Sequence, residues 1–242
     1  MSLQVVCEDF DGLETSWNSL LARIPRPTVF LTPLWHRTWW QHMGQGDLCL
    51  LAIRNSEKVM GIAPLVQEHS HLSFLGGTDL ADYHDLLLEP GQEQPALTAL
   101  LDFLGQHKWD SFRMTSLPEG SPTLDLLPGL AQARGLVVEQ VLEDVCPRLE
   151  LPATWGDYLA GLIKKDRHEL RRKLRRLYGQ AEVRHYTVTD PEGVAQGLDD
   201  FFRLLRASRQ DKADFLTPQR EAFMRAVATA LAREQHAAEV VA

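Results

Sequence analysis

The chain is poor in cysteine and has no long apolar run. Its three cysteines, Cys7, Cys49 and Cys146, are odd in number, widely spaced and set among apolar neighbours. That excludes a disulfide framework and close metal-binding pairs, and it predicts small core residues in a reducing compartment. No stretch reaches the roughly 18 uninterrupted apolar residues that a membrane-spanning helix needs. The opening MSLQVVCEDFDG turns acidic at Glu8 and Asp9 and lacks the basic end and long apolar middle of a secretory signal. A cytoplasmic protein with no membrane partner is expected. Glycine and proline, at 16 and 13 of 242 residues, are too ordinary for a collagen-like or low-complexity chain. Also missing are Gly-x-Gly-x-x-Gly, a phosphate loop ending in Gly-Lys, His-Glu-x-x-His, Cys-x-x-Cys and Gly-x-Ser-x-Gly. P-loop hydrolysis, zinc proteolysis and α/β-hydrolase chemistry therefore lose support. The only close histidine pair, His69 and His71, reads as exposed alternate residues at a strand edge rather than metal ligands.

What is present is a segregation of charge. Residues 1–163 carry 9 Lys and Arg against 21 Asp and Glu, whereas residues 164–176 carry 8 against 2. An acidic body therefore surrounds one basic strip, within a net charge of −8.

Hydrophobic periodicity predicts a strand at 3–7, a helix at 13–24 stopped by Pro25 and Pro27, and a second helix from Pro33 to Met43 capped by Thr32. Runs at 47–54, 58–67 and 71–75 are separated by connections too short for parallel crossovers, so they read as an antiparallel meander. Beyond Gln92 the order becomes helix, strand (111–115), helix (121–134) and strand (136–143). Thr154 opens a helix extending to Gly179. Stepping about 100° per residue puts Leu159, Ile163, Leu170, Leu174 and Leu177 on one stripe, expected to be buried, with the cations opposite. A strand at 181–188 and helices opening at Asp190-Pro191 and Thr217-Pro218 follow, and the tail HAAEVVA reads as the start of a strand. The best boundary lies near Pro152, giving domains 1–150 and 151–242.

Two places invite a ligand. The helix face bearing Trp35 and Trp39 is either core or an aromatic wall. The segment FLGGTDLADYHDLLLEPG sets Asp79, Asp82, Tyr83 and Asp85 in a loop behind Gly76 and Gly77, either as a substrate contact or as a turn whose Asp side chains bond their own backbone. The basic strip has three readings: a solvated helix beside the acidic body, an anion site using Arg guanidinium forks, or a nucleic-acid contact, which pI ≈ 5.6 disfavours.

GIAPL (61–65), FLGGTDLADYHDLL (74–87), WDSFRMTSLPEGSP (109–122) and LPATWGDYLAGLIKKDRHELRRKLRRL (151–177) resemble the GNAT superfamily of acyltransferases, in particular the CelD-type, or BioF-like, acetyltransferases of bacterial polysaccharide biosynthesis. The resemblance implies an α/β (α+β) fold: a mixed, mainly antiparallel sheet flanked by helices, in a tandem GNAT-like arrangement whose second unit stops short at the C-terminus. It implies transfer of an acyl group from acetyl-CoA or another acyl-CoA to a small-molecule amine. The Arg/Gln-x-x-Gly-x-Gly/Ala loop that holds the coenzyme pyrophosphate in such units has no counterpart here; the corresponding EPGQEQPALTALL (89–101) offers only Gly91. Trp35, Trp39, Asp79, Asp82, Tyr83 and Asp85 are expected to line an acceptor cleft, joined by Lys165, Asp166, Arg167 and Arg171 where the units meet. A non-catalytic GNAT-like binding or scaffold protein and a nucleic-acid binder are the alternatives. A homo-oligomer or another partner covering the incomplete unit is also expected.

Overall fold

The computed structural model describes residues 3–180 and 182–241. Their contacts group them as 1–143 with 189–242 in one compact unit and 144–188 in another. This division differs from the 1–150 and 151–242 expected, because the last helix belongs with the first unit.

In the larger unit, β1 (Gln4–Glu8), β2 (Asp47–Asn55), β3 (Lys58–Glu68), β4 (His71–Phe74) and β6 (Ser111–Arg113) lie in the order β1-β2-β3-β4-β6. Short turns make β2, β3 and β4 an antiparallel meander, as expected, and β1 pairs antiparallel with β2 after the long connection through the first two helices. β6 returns parallel to β4 after the crossover helix α3 (Glu93–Leu104). The two-residue strand β5 (Leu87–Leu88) pairs with β3 at Gly61 and Ile62, while β4 pairs with it from Leu65 onward. Between these partners Ala63 and Pro64 have no strand on that side; Pro64 lacks an N–H to give, and its carbonyl accepts the Leu75 N–H. The loop carrying Gly76 to Asp85 leaves the sheet at this gap.

Both faces of the sheet are covered, which is why β2 and β3 are nearly continuous apolar runs. Leu51, Ile53, Ala63 and Leu65 pack against α3, and half-buried Leu126, Leu127 and Leu130 of α4 (Pro122–Gln132) join that cluster. Leu50, Ala52, Ile62 and Val66 pack against Phe10, Leu13, Trp17 and Leu20 of α1 (Phe10–Leu21). α2 (Pro33–Met43) starts as predicted, with the Thr32 hydroxyl accepting the Trp35 N–H. α7 (Pro191–Ser208) also starts as predicted, Asp190 accepting from Gly193 N–H. A short α8 (Gln210–Phe215) and α9 (Pro218–Val241) follow.

α9 crosses back to α2, where Phe223 and Val227 pack with Trp35 and Ala81. Gln219 Nε2 donates to the His42 carbonyl at 2.7 Å.

In the smaller unit the expected single helix is two. α5 (Trp155–Gly161) ends where Leu162 takes an extended backbone, and α6 (Lys164–Gln180) begins after it. The Arg167 guanidinium donates to the Ala160 carbonyl at 3.2 Å, satisfying a C-terminal group that a continuous helix would have used. Leu159 is buried, but no residue of α6 is, so the stripe is not the core face expected.

Other expectations also need correction. Residues 136–143 form no strand; Val137, Val141 and Leu142 are exposed and pair with no neighbouring strand among the described residues. Residues 182–188 form no strand either, and Ala181 lies outside the described residues. The tail continues α9 to Val241 instead of starting a strand, its alanines supporting the helix. Cys49 is half-buried, but Cys7 is exposed on an edge strand and Cys146 is exposed as well. No helix among the described residues is long and apolar enough to cross a membrane.

Candidate functional site

The site is built on the loop that leaves the sheet after Leu75. Gly76 and Gly77 have φ of +137° and +63°, a backbone that other residues adopt only under strain. A Cβ at Gly76 would lie 2.7 Å from His84 Nε2, and one at Gly77 3.2 Å from the Trp39 indole. The two glycines thus let the loop run between a buried imidazole and an aromatic ring. Gly76→Ala is expected to lower stability by roughly 2–3 kcal/mol, combining backbone strain with the His84 contact. Gly91→Ala is the control: its φ is +79° but no atom lies within 4 Å. Denaturant midpoints check the order, and a Gly76→Ala cost no larger than that at Gly91 would refute the contact.

Next to these glycines lies an open pocket of about 260 Å³, lined by Trp39, Met43, Gly76 to Leu80 and Arg220. Asp79 forms an ion pair with Arg220. The Arg220 guanidinium also donates to the Phe215 carbonyl at 3.0 Å and lies over the Phe215 ring. Arg220 is 22% exposed and Asp79 63%, so the carboxylate is the end of the pair offered to solvent.

Two histidines here are buried, and their ring nitrogens make no well-aligned hydrogen bond. His36 of α2 is 1% exposed and His84 2%. Trp17 lies against His36, with ring centroids 5.4 Å apart, and Phe74 stacks on His84 at 5.6 Å. Burial, with the nearby His84 adding to it, lowers the His36 pKa to about 3; the Leu75 backbone offsets this only in part. Burial also lowers the His84 pKa, against the Thr115 backbone and the Glu143 carboxylate, which favour the cation. Both rings are neutral at pH 7.

The structure sorts the expected site residues. Trp39 and Asp79 meet in the pocket. Trp35 does not reach it: its ring is wedged edge-on between Phe30 and Phe223, so on this residue the core reading holds. Asp82 is exposed, and half-buried Tyr83 lies 6.4 Å from the Phe30 ring. Asp85 accepts the Leu86 N–H at 2.8 Å. Its burial pushes the carboxyl pKa up, with the Ser121 and Thr123 hydroxyls acting in the opposite sense, which places it toward the start of α4. Lys165, Asp166, Arg167 and Arg171 belong to the smaller unit, described by itself. Arg220 was not foreseen; nothing in TPQREAF marks it, since its partner stands 141 positions earlier.

Residues 164–242 match the family model of the acetyltransferase (GNAT) domain. The match covers α6 to α9 and so includes the helix that supplies Arg220. No curated protein and no solved structure gives a significant match.

The starts of α3, α7 and α9 do not fit the pyrophosphate of a coenzyme A. Such a group needs free backbone N–H donors at a helix start and a favourable charge there. Ahead of α3, Gly91 has open space, but Glu89 is held ionised by Lys58 and Arg23, and Glu93 occupies the first turn. α7 and α9 open on Pro191 and Pro218, which lack an N–H, and Asp190 caps the former.

Proposed function

We propose that this chain takes part in the transfer of an acyl group to an amine, and that the pocket beside Gly76 and Gly77 seats the acceptor. The single observation that carries the reading is the exposed Asp79 carboxylate set beside the Trp39 indole, in a pocket closed by Arg220 from the acetyltransferase-matched segment. A carboxylate and an aromatic face together suit a cationic amine, the first by charge and the second through its π-cloud. The space fits a molecule of sugar size, and the resemblance to polysaccharide-associated acetyltransferases makes an amino sugar of the cell envelope the acceptor class we favour. Acetyl-CoA is the donor that the resemblance suggests. No chemical step is assigned to the pocket residues; their part is to bind and orient the amine.

Release of free thiol from acetyl-CoA in the presence of glucosamine tests this. Transfer is expected, with kcat/KM lowered roughly tenfold in Asp79→Asn, equivalent to the loss of about 1.4 kcal/mol of binding. No thiol release with any primary amine tried would sink it. A second reading is a protein that keeps the fold and binds without transferring; the acidic start of α3 favours it. Saturable amine binding with no thiol release would select that reading.

A further inference from the structure

α6 is the most charged element of the chain, and the acceptor pocket makes no use of it. Eight of its residues are Lys or Arg and two are acidic. Glu169 pairs with Arg172 and Lys173, and Arg167 is engaged by carbonyls at the end of α5. Lys164, Lys165, Arg171 and Arg175 are left exposed, with no ion pair among the described residues. On the opposite side, Ile163, Leu170, Leu174 and Leu177 recur at helical spacing. Ile163 is 66% exposed, Leu177 49%, and Leu170 and Leu174 are only half-buried. At 17 residues the helix is about 25 Å long.

This combination has a specific chemistry. A helix of low overall hydrophobicity, with a dense cationic face and a narrow apolar stripe, is suited to lie in the plane of a lipid surface. Each cation then gains from the negative surface potential while the aliphatic side chains enter the headgroup boundary. Trp155, stacked on Tyr158 at 5.2 Å and more than half exposed, lies on the preceding helix and supplies an interfacial aromatic. A nucleic acid would satisfy the cations and leave the apolar stripe wet, whereas an anionic bilayer takes both faces.

We propose that α6 docks this chain on an anionic phospholipid surface. The expectation of no membrane partner rested on the lack of a spanning segment, and a helix lying on the surface needs none.

The test is co-sedimentation of the full chain with vesicles of phosphatidylcholine containing about one-third phosphatidylglycerol. Binding is expected, at least tenfold weaker on pure phosphatidylcholine, and weaker again when salt is raised, because the attraction is screened. Replacing Lys164, Lys165, Arg171 and Arg175 with Gln is expected to abolish it. Leu174→Ser with Leu177→Ser leaves the charge unchanged and is expected to weaken it several-fold. These positions lie outside the larger unit, so its thermal transition should not move, and an unchanged far-ultraviolet circular dichroism at 222 nm certifies that the substituted helix itself stays folded. Absence of binding to the anionic vesicles overturns the proposal. Binding that ignores the two leucine substitutions also overturns it, as adsorption of a generic polyanion; duplex DNA displacing the vesicles from that variant and wild type alike would then identify a nucleic-acid contact.

Discussion

Lowering the pH from 7 to 5 is expected to remove about 2 kcal/mol of stability through His36 alone. In the unfolded chain this histidine titrates near 6.5; in the fold its pKa is held at about 3. Between those values the unfolded state binds the proton and the folded state does not. The contribution is therefore fully present above pH 6.5 and declines by about 1.4 kcal/mol per unit as the pH falls toward 3. Of the groups facing His36, only the Leu75 backbone favours the cation, and only in part: Trp17 is apolar and His84 is a second base that becomes a like charge if protonated. His84 is lowered in the same direction, so its contribution adds, although Glu143 opposes it. Urea midpoints at pH 7 and pH 5, read by tryptophan fluorescence, measure the slope. His36→Phe keeps an aromatic ring against Trp17 and is expected to shrink the acid loss by about 2 kcal/mol. An unchanged acid loss in that variant would mean that His36 is not buried as a neutral base.

Phe223→Ala is expected to cost about 3–5 kcal/mol, the range for emptying a fully buried aromatic site. Phe223 has no exposed surface and stands edge-on to Trp35, 5.1 Å between centroids, at the centre of the contact between α2 and α9. The substitution therefore tests whether the C-terminal helix belongs to the unit formed by residues 1–143. Phe201→Ala is the comparison, since that ring is 45% exposed and its loss is expected to cost less than about 1 kcal/mol. Equal and small costs for the two would place α9 elsewhere. Loss of the α2 contact also removes Arg220 from the pocket, so Phe223→Ala should weaken any ligand held there.

Local features of this fold are legible in the sequence and distant ones are not. Thr32-Pro33 and Asp190-Pro191 announce helix starts because a cap needs only a side-chain oxygen and the next turn's N–H groups. The meander of β2, β3 and β4 is legible because its turns are short. The mixed sheet flanked by helices follows from that order. The strands expected at 136–143 and 181–188 show the limit: alternation makes a segment able to pair, but a strand also needs a neighbour. Leu162 interrupts a helix whose periodicity continues across it, because Arg167 can satisfy the freed carbonyls. In the site, Trp39 and Asp79 were legible as types suited to a cleft. Trp35 carries the same signal and lies in the core, since which face of α2 is covered depends on α9. Arg220, His36 and His84 were missed for that same reason: their roles come from burial and from contacts across the fold, which spacing along the chain does not encode.

The central claim is that Trp39, Asp79 and Arg220 form a seat for an amine. The indole N–H resonance of Trp39, assigned by its loss in Trp39→Phe, tests this most directly when glucosamine or butylamine is titrated into the protein at pH 7. The account predicts a saturable shift of that resonance in the wild type that is lost or severely weakened in Asp79→Asn. A resonance that does not move, or that moves equally in Asp79→Asn, would contradict it.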